Sequence, residues 1–329
     1  MKNNTLNGKR ILFIGPKTFN YHNEIISALN EMGADVTFCS DKPFKNLFLI
    51  ALLRLKPKWV WFIANRIYVS WLEKNAPAEC DIVFVIKGEG ISPQILNILK
   101  GRYKNAFFVL YLWDSISNVR NVEEKFPYFN HIFSFDPEDC KQYGNLKYRP
   151  LFFLEKYYKK NTSIGNGIFF IGTLNGDRSK VISKLSKSLN NKQVLDFSLF
   201  VRSRVELFIR KLFDHSLNNN KSIKLLKEPM SIDEINQRID NCTAVLDIEH
   251  AKQKGLTMRT FEVLASRKKL ITTNKTIIDH DFYDSSNIFI LDREKPVIPN
   301  HFFDLPNNEL PHFFIDRYSI KGWISEILG

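Results

Sequence analysis

Arg10-Ile-Leu-Phe-Ile-Gly15-Pro16 is a short apolar run that ends on glycine and proline. Ile25, Ile26, Leu29 and Met32 then repeat at near-helical spacing, which predicts a helix from about Phe19 to Met32, and Gly33 supplies the left-handed stop. A second strand is expected at residues 34–39. Strand, helix and strand in about thirty residues make a parallel βαβ unit. Continuous apolar runs at 81–86, 106–113 and 131–135 add three strands of the kind covered on both faces. The first half therefore reads as one open α/β sheet.

The pattern restarts after the linker-like Tyr148-Arg-Pro-Leu-Phe-Phe153 and a polar stretch at 159–166. A strand at 167–171 runs into Gly172-Thr-Leu-Asn-Gly176-Asp-Arg178, and 180–189 reads as a helix. Further strands are expected at 194–201, 222–226, 243–248, 269–273 and 287–291, with helices at 202–214, 231–239 and 257–266. The second of these helices opens on Ser231-Ile-Asp-Glu234, a capping box worth about 1 kcal/mol. The expected fold class is α/β: two Rossmann-like open parallel-sheet domains, 1–150 and 151–315, facing a cleft. Segment 316–329 is expected to form a C-terminal helix, over 316–328, that packs back across the join. In such sheets ligands meet the carboxyl ends of the strands, so the cleft is the expected site.

The 329 residues carry 47 Lys and Arg against 35 Asp and Glu, a formal net charge of +12. Residues 1–150 hold 20 basic and 14 acidic side chains and residues 151–329 hold 27 and 21, so each half carries the same excess. An even surplus with no basic tail suits a polyanionic partner without choosing among nucleic acid, anionic lipid and a phosphorylated small molecule. Cys39, Cys80, Cys140 and Cys242 are far apart and none forms a C-x-x-C pair, which excludes a disulfide framework and a local zinc knuckle. With no secretory leader before Arg10, a reducing cytoplasm is expected.

The segment Lys254-Gly255-Leu-Thr257-Met-Arg259-Thr260-Phe-Glu262 sets a glycine turn at a helix start. Backbone N–H groups there favour a phosphate, and Lys254, Arg259 and the Thr257 and Thr260 hydroxyls can add charge-assisted bonds. Arg259 and Glu262 share a helical face, a cation for a diphosphate beside a carboxylate for a ribose diol. The alternative is an ordinary amphipathic helix whose Arg259–Glu262 pair lies on the surface and contributes under about 1 kcal/mol.

Residues 255–266, with Lys268-Lys-Leu-Ile-Thr-Thr273 after them, resemble the donor-nucleotide segment of GT-B glycosyltransferases, in the group-1-like, bacterial capsule and lipopolysaccharide branch. Tyr111-Leu-Trp113-Asp114-Ser115 and Phe133-Ser134-Phe-Asp136-Pro-Glu-Asp139 resemble segments of capsule-type members. The resemblance implies that Glu262 holds the nucleotide ribose and that Gly172, Thr173 and Arg178 form the loop facing the diphosphate. It implies transfer from a nucleotide-sugar, a co-substrate rather than a cofactor, to a glycan or lipid-linked acceptor, with no bound metal. Retaining relatives commonly carry two glutamates separated by seven residues, and Lys254 stands where the first would fall, so an inverting reaction is favoured.

An inverting step needs a base at a strand end. Asp114 is the first choice, with His22, Glu89 and Asp136 as further candidates; a helix cap is the structural alternative for Asp114 and a partly buried imidazole that for His22. Asp247 and Glu249 share one side of a strand end as a metal pair would, but His250 is the single further ligand beside them, which is thin support, and no metal is expected. From Lys42 to Leu72 no residue is acidic, and Lys42, Lys45, Arg54, Lys56, Lys58 and Arg66 alternate with Phe44, Phe48, Trp59, Trp61 and Phe62. That pattern resembles an interfacial patch for the inner face of the plasma membrane; the plainer reading is a core helix followed by a strand.

Gly15-Pro16-Lys17 is not a dinucleotide-binding G-x-G-x-x-G turn, and no Walker G-x-x-x-x-G-K-[ST] occurs. Most phenylalanines lie within predicted strands, which argues against base stacking and a nucleic-acid partner. A sugar-nucleotide epimerase of the same fold and a non-catalytic sugar-nucleotide-binding scaffold are the alternatives.

Overall fold

The structure, a computed structural model, describes residues 6–160, 165–189, 193–201, 203–217, 222–251 and 253–329. The chain divides into two compact units. The first runs to Leu151 and takes back Ile320–Gly329; the second is Phe152–Ser319.

The first unit is built on β1 (Arg10–Gly15), β2 (Asp35–Ser40), β3 (Ile82–Ile86), β4 (Phe107–Leu112), β5 (His131–Ser134) and β6 (Leu146–Tyr148), all parallel, in the order β2-β1-β3-β4-β5-β6. Helices α1 (Tyr21–Glu31), α2 (Leu47–Leu55), α3 (Pro57–Asn75), α4 (Pro93–Arg102) and α5 (Pro137–Gln142) connect them. Every residue of β3 is buried because both faces of a parallel sheet are covered. One face packs Leu12, Val83, Val85 and Phe108 with Val60 and Ala64 of α3 and Leu96 and Leu99 of α4. On the other, Phe13 stacks on Phe84 with ring centroids 5.3 Å apart, and Trp323 lies 4.7 Å from Tyr111 and 6.0 Å from Phe84.

The second unit holds β7 (Ile168–Thr173), β8 (Leu195–Phe200), β9 (Ile223–Leu226), β10 (Ala244–Asp247), β11 (Lys269–Thr272) and β12 (Ile288–Ile290), again all parallel, in the order β12-β11-β10-β7-β8-β9. Its helices are α6 (Arg178–Ser188), α7 (Arg204–Phe213), α8 (Ile232–Asp240), α9 (Met258–Ala265), α10 (His301–Asp304) and α11 (Phe313–Tyr318); the last helix of the chain, α12 (Ile320–Leu328), belongs to the first unit. The Ser231 hydroxyl caps α8 by accepting from the Glu234 N–H at 3.2 Å, as the capping box implies. Strand order reverses between β1 and β3 in one sheet and between β7 and β10 in the other. These are the switch points where open α/β sheets leave a crevice.

The expected linker from Tyr148 begins inside a strand, since 146–148 pairs with β5. Three residues at a sheet edge, two of them exposed, are too few to show a period. The stretch 42–72 forms two helices, α2 and α3, rather than a helix and a strand. Pro57 starts α3 at its first position, and Val60, Ala64, Tyr68 and Leu72 bury at helical spacing although Trp59-Val-Trp-Phe-Ile63 has strand-like composition. The single helix expected over 316–328 is broken at Ser319, extended at φ −66°, ψ 158°, where Phe153 pairs with it and donates its N–H to Tyr318 O at 2.9 Å. Arg202, the first residue of the helix expected at 202–214, lies outside the described residues, as do 161–164 of the expected polar stretch.

Candidate functional site

At the β7/β10 switch point the sequence sets Gly172-Thr173 at one strand end and Asp247-Ile248-Glu249 at the other. Arg178, in the first turn of α6, ties them together: its Nε donates to Ile248 O at 2.8 Å and its Nη1 to Thr173 O at 3.1 Å. Burial holds the guanidinium below the usual arginine range, with Asp247 and Glu249 opposing that effect. A Cβ on Gly172 would stand 2.9 Å from the Phe170 ring and 3.3 Å from Arg178 Nη1, so close approach selects glycine.

The turn before α9 is fixed from behind. Asn274, buried just after β11, donates from Nδ2 to Lys254 O at 3.1 Å and Gly255 O at 3.2 Å, and the Thr276 hydroxyl donates to Lys254 O at 2.8 Å. The Thr257 and Thr260 hydroxyls, read from sequence as phosphate donors, both donate to Asp247 Oδ2, at 2.6 and 3.1 Å. Their protons are thereby committed to a buried carboxylate, and an anion at this turn would rely on backbone N–H groups and cations. Burial raises the Asp247 pKa; the Thr257 bond acts against that rise.

Arg259 Nη1 stands 2.7 Å from Glu262 Oε2, with side-chain exposures of 16% and 1%. This is a largely buried pair, not the surface pair of the amphipathic-helix reading. Sequence reading missed Arg293, three residues beyond β12. Its Nη2 meets Glu249 Oε1 at 2.7 Å, its Nη1 meets Asp177 at 2.8 Å, and Thr273 donates to the same Glu249. The available signal was position: an arginine just after a strand's carboxyl end. Glu249 is thus tied to Arg293 and Thr273, and Asp247 to Thr257 and Thr260; no cluster able to hold a metal occurs among the described residues.

In the first unit, Lys87 follows β3 in the left-handed region, φ 64°, and its Nζ lies 2.7 Å from Asp114 Oδ2 just after β4. Burial acts to lower the Lys87 pKa, but Asp114 and Glu89 outweigh it and leave the ammonium raised. Glu89, 6% exposed, has three cations around it: Lys42 at 3.4 Å, Arg54 at 3.6 Å and Lys87 at 3.7 Å. Beneath this loop Asp41 is fully buried and burial pushes its carboxyl up to about 6. Lys125 is buried too, pushed down to about 8, and donates to Gly88 O at 2.6 Å. A Cβ on Gly90 would fall 2.1 Å from Asp41 O.

Asp136 caps α5 by accepting from the Glu138 N–H at 3.1 Å and takes a hydrogen bond from Ser115. His22 sits in the first turn of α1 with its ring 5.1 Å from Phe38, and burial, then Lys17, lowers its pKa. Among the described residues no hydrogen bond or ion pair joins His22 to Asp114. The loop leading to α1 holds Phe19 and Asn20 at φ 47° and 65°; asparagine adopts this left-handed region readily, whereas Phe19 costs about 1–2 kcal/mol there.

No family model and no curated protein matches this sequence. Solved structures do match. A glycosyltransferase from Rickettsia africae superposes with a TM-score of 0.61 at 11% identity, over 97% of each chain. Anabaena HepE, solved with UDP and glucose, gives 0.59 at 12%, over 97% of this chain and 98% of that one. The chain has the GT-B fold. A UDP-GlcNAc 2-epimerase from Methanocaldococcus jannaschii, solved with UDP-GlcNAc and UDP, shares it with a TM-score of 0.54 at 13% identity, over 97% and 99%.

Proposed function

We propose that this GT-B chain is a glycosyltransferase that moves a sugar from a nucleotide-sugar to a growing bacterial surface glycan, of capsule or lipopolysaccharide type, carried on a lipid at the inner face of the plasma membrane. The observation that carries the reading is the β7/β10 switch point. There Arg178 bridges the two strand ends, while the α9 turn places Arg259 beside Glu262.

In this reading the diphosphate meets the backbone of Gly172, Thr173 and Gly255 with Arg178, Lys254 and Arg259 as cations, and Glu262 takes the ribose hydroxyls. Because Glu262 is covered, donor binding exchanges one pair for two: Arg259 turns to the diphosphate and the released carboxylate accepts from the ribose. The acceptor belongs to the first unit. Its hydroxyl oxygen attacks the anomeric carbon as Asp114 takes the proton, the bond to the diphosphate breaks, and the nucleoside diphosphate leaves with the electron pair. Lys87 orients Asp114. Backbone dipoles and cations stabilise the leaving group, so the step needs no metal and inverts the anomeric centre.

The test is a transfer assay with cell-derived acceptor. The wild type is expected to release free nucleoside diphosphate only when acceptor is present, and Asp114→Asn is expected to abolish release while donor affinity stays. An active Asp114→Asn enzyme removes Asp114 as the base. The epimerase reading draws on the likeness to the Methanocaldococcus jannaschii UDP-GlcNAc 2-epimerase; a changed sugar still on its nucleotide, without acceptor, would establish it.

A further inference from the structure

α3 carries apolar residues at helical spacing twice over. Val60, Ala64, Tyr68 and Leu72 face the core, whereas Trp59, Phe62, Ile63 and Ile67 face outward, 72%, 66%, 45% and 40% exposed. Phe48 and Leu55 of α2 extend the outward face at 72% and 65%. Singly exposed apolar residues are common, but six large ones on two consecutive helices form the kind of patch that water disfavours and a partner covers.

The surroundings select the partner. Lys45, Arg54, Lys56, Lys58 and Arg66 border the patch, and residues 42–72 contain no acid. The Arg66 guanidinium lies over the Phe62 ring, 4.4 Å from its centroid, so a cation sits directly on the exposed apolar face. Arg54 faces Glu89, and Lys58 reaches Glu124 at 2.5 Å across a groove of about 640 Å³ whose far wall also carries Glu123 and Arg120. Lys45, Lys56 and Arg66 enter no ion pair among the described residues.

An apolar face ringed by cations complements anionic headgroups above acyl chains. A second copy of the chain would set the same cations against one another in a two-fold contact, which disfavours self-association. No helix among the described residues is long and apolar enough to cross a membrane.

We propose that the α2–α3 face docks on an anionic lipid surface, with Phe48, Leu55, Trp59, Phe62, Ile63 and Ile67 entering the headgroup boundary and Lys45, Lys56 and Arg66 meeting lipid phosphates. The inference rests on exposure and charge in the first unit. It holds whichever sugar-nucleotide reaction the chain performs, so docking and transfer can fail separately.

Flotation of the full chain with vesicles, in the absence of nucleotide-sugar, tests it. The wild type is expected to float with phosphatidylcholine vesicles containing phosphatidylglycerol and not with phosphatidylcholine alone. Raising salt to about 0.5 M is expected to weaken the association at least about tenfold. Trp59→Ser/Phe62→Ser should lower partitioning by about tenfold or more through lost apolar insertion. Lys56→Glu/Arg66→Glu, two exposed changes, should abolish the lipid-charge dependence with an unchanged melting temperature. Failure of the wild type to float, or flotation of the folded charge variant equal to it, overturns the proposal. So does a wild-type dimer, seen by sedimentation without lipid, that Phe62→Ser dissociates.

Discussion

Asp41 and Lys125 show how single buried charges set the behaviour of the first unit. Neither Asp41 oxygen has a donor at full hydrogen-bond geometry, although the Glu89 N–H lies close enough to favour its ionised form. Burial is the largest influence on Asp41; Lys42 and Lys87 oppose it and Glu89 reinforces it. Its carboxyl therefore sits near 6 in the folded chain against 3.8 for the free group. A raised acid pKa means that the native state keeps a proton which the unfolded state has lost, so stability falls as pH rises from about 4 to about 6 and levels above that. The full shift corresponds to about 3 kcal/mol. Asp41→Asn is expected to flatten this part of the stability–pH curve, measured by urea unfolding, and to stabilise the protein at pH 7. An unchanged pH profile would show that Asp41 is ionised in the native state.

At the scale of elements, the chain's last helix does the work that its lone sequence position conceals. α12 lays Trp323 across Tyr111 and Phe84, while Lys321 reaches Glu31 of α1 at 2.8 Å and Glu326 reaches the buried Arg149 at 2.8 Å. Trp323→Ala should cost about 3–5 kcal/mol, read as a lowered urea midpoint with an unchanged slope. Loss under about 1 kcal/mol would mean that the indole contributes little to closing that face.

The strands of both sheets were legible in the sequence because each is an apolar run bounded by turn residues, and α1 was legible because Ile25, Leu29 and Gly33 mark its face and its stop. β6 was not, since three edge residues carry no period. Nor were the two helices in 42–72, where apolar residues lie on both faces of α3 and blur the pattern. The Arg259–Glu262 face could be read from spacing alone. Its burial could not, nor could the Asp247 bonds of Thr257 and Thr260, 10 and 13 positions away, or the arrival of Arg293 on Glu249 across 44 positions, because burial and choice of partner depend on how the strand ends assemble.

For the whole molecule, the two sheets place different chemistry at their switch points. In the proposed reading the second unit offers backbone, Arg178 and Arg259 to an anion, with the Glu262 carboxylate, paired to Arg259 at 2.7 Å, released to the ribose. The first offers an Asp114–Lys87 pair and Glu89 inside three cations. That division matches a reaction with one anionic, activated substrate and one hydroxyl-bearing substrate. It rests on the second unit binding a nucleotide-sugar at the α9 turn. Calorimetric titration of the wild type and of Glu262→Ala with uridine, guanosine, thymidine and cytidine sugar nucleotides tests this most directly. The account predicts that the wild type binds at least one of them and that Glu262→Ala raises its dissociation constant at least about tenfold, equivalent to about 1.4 kcal/mol, while the melting transition stays cooperative. Equal affinity in the two proteins, or binding of none of the four, would contradict it.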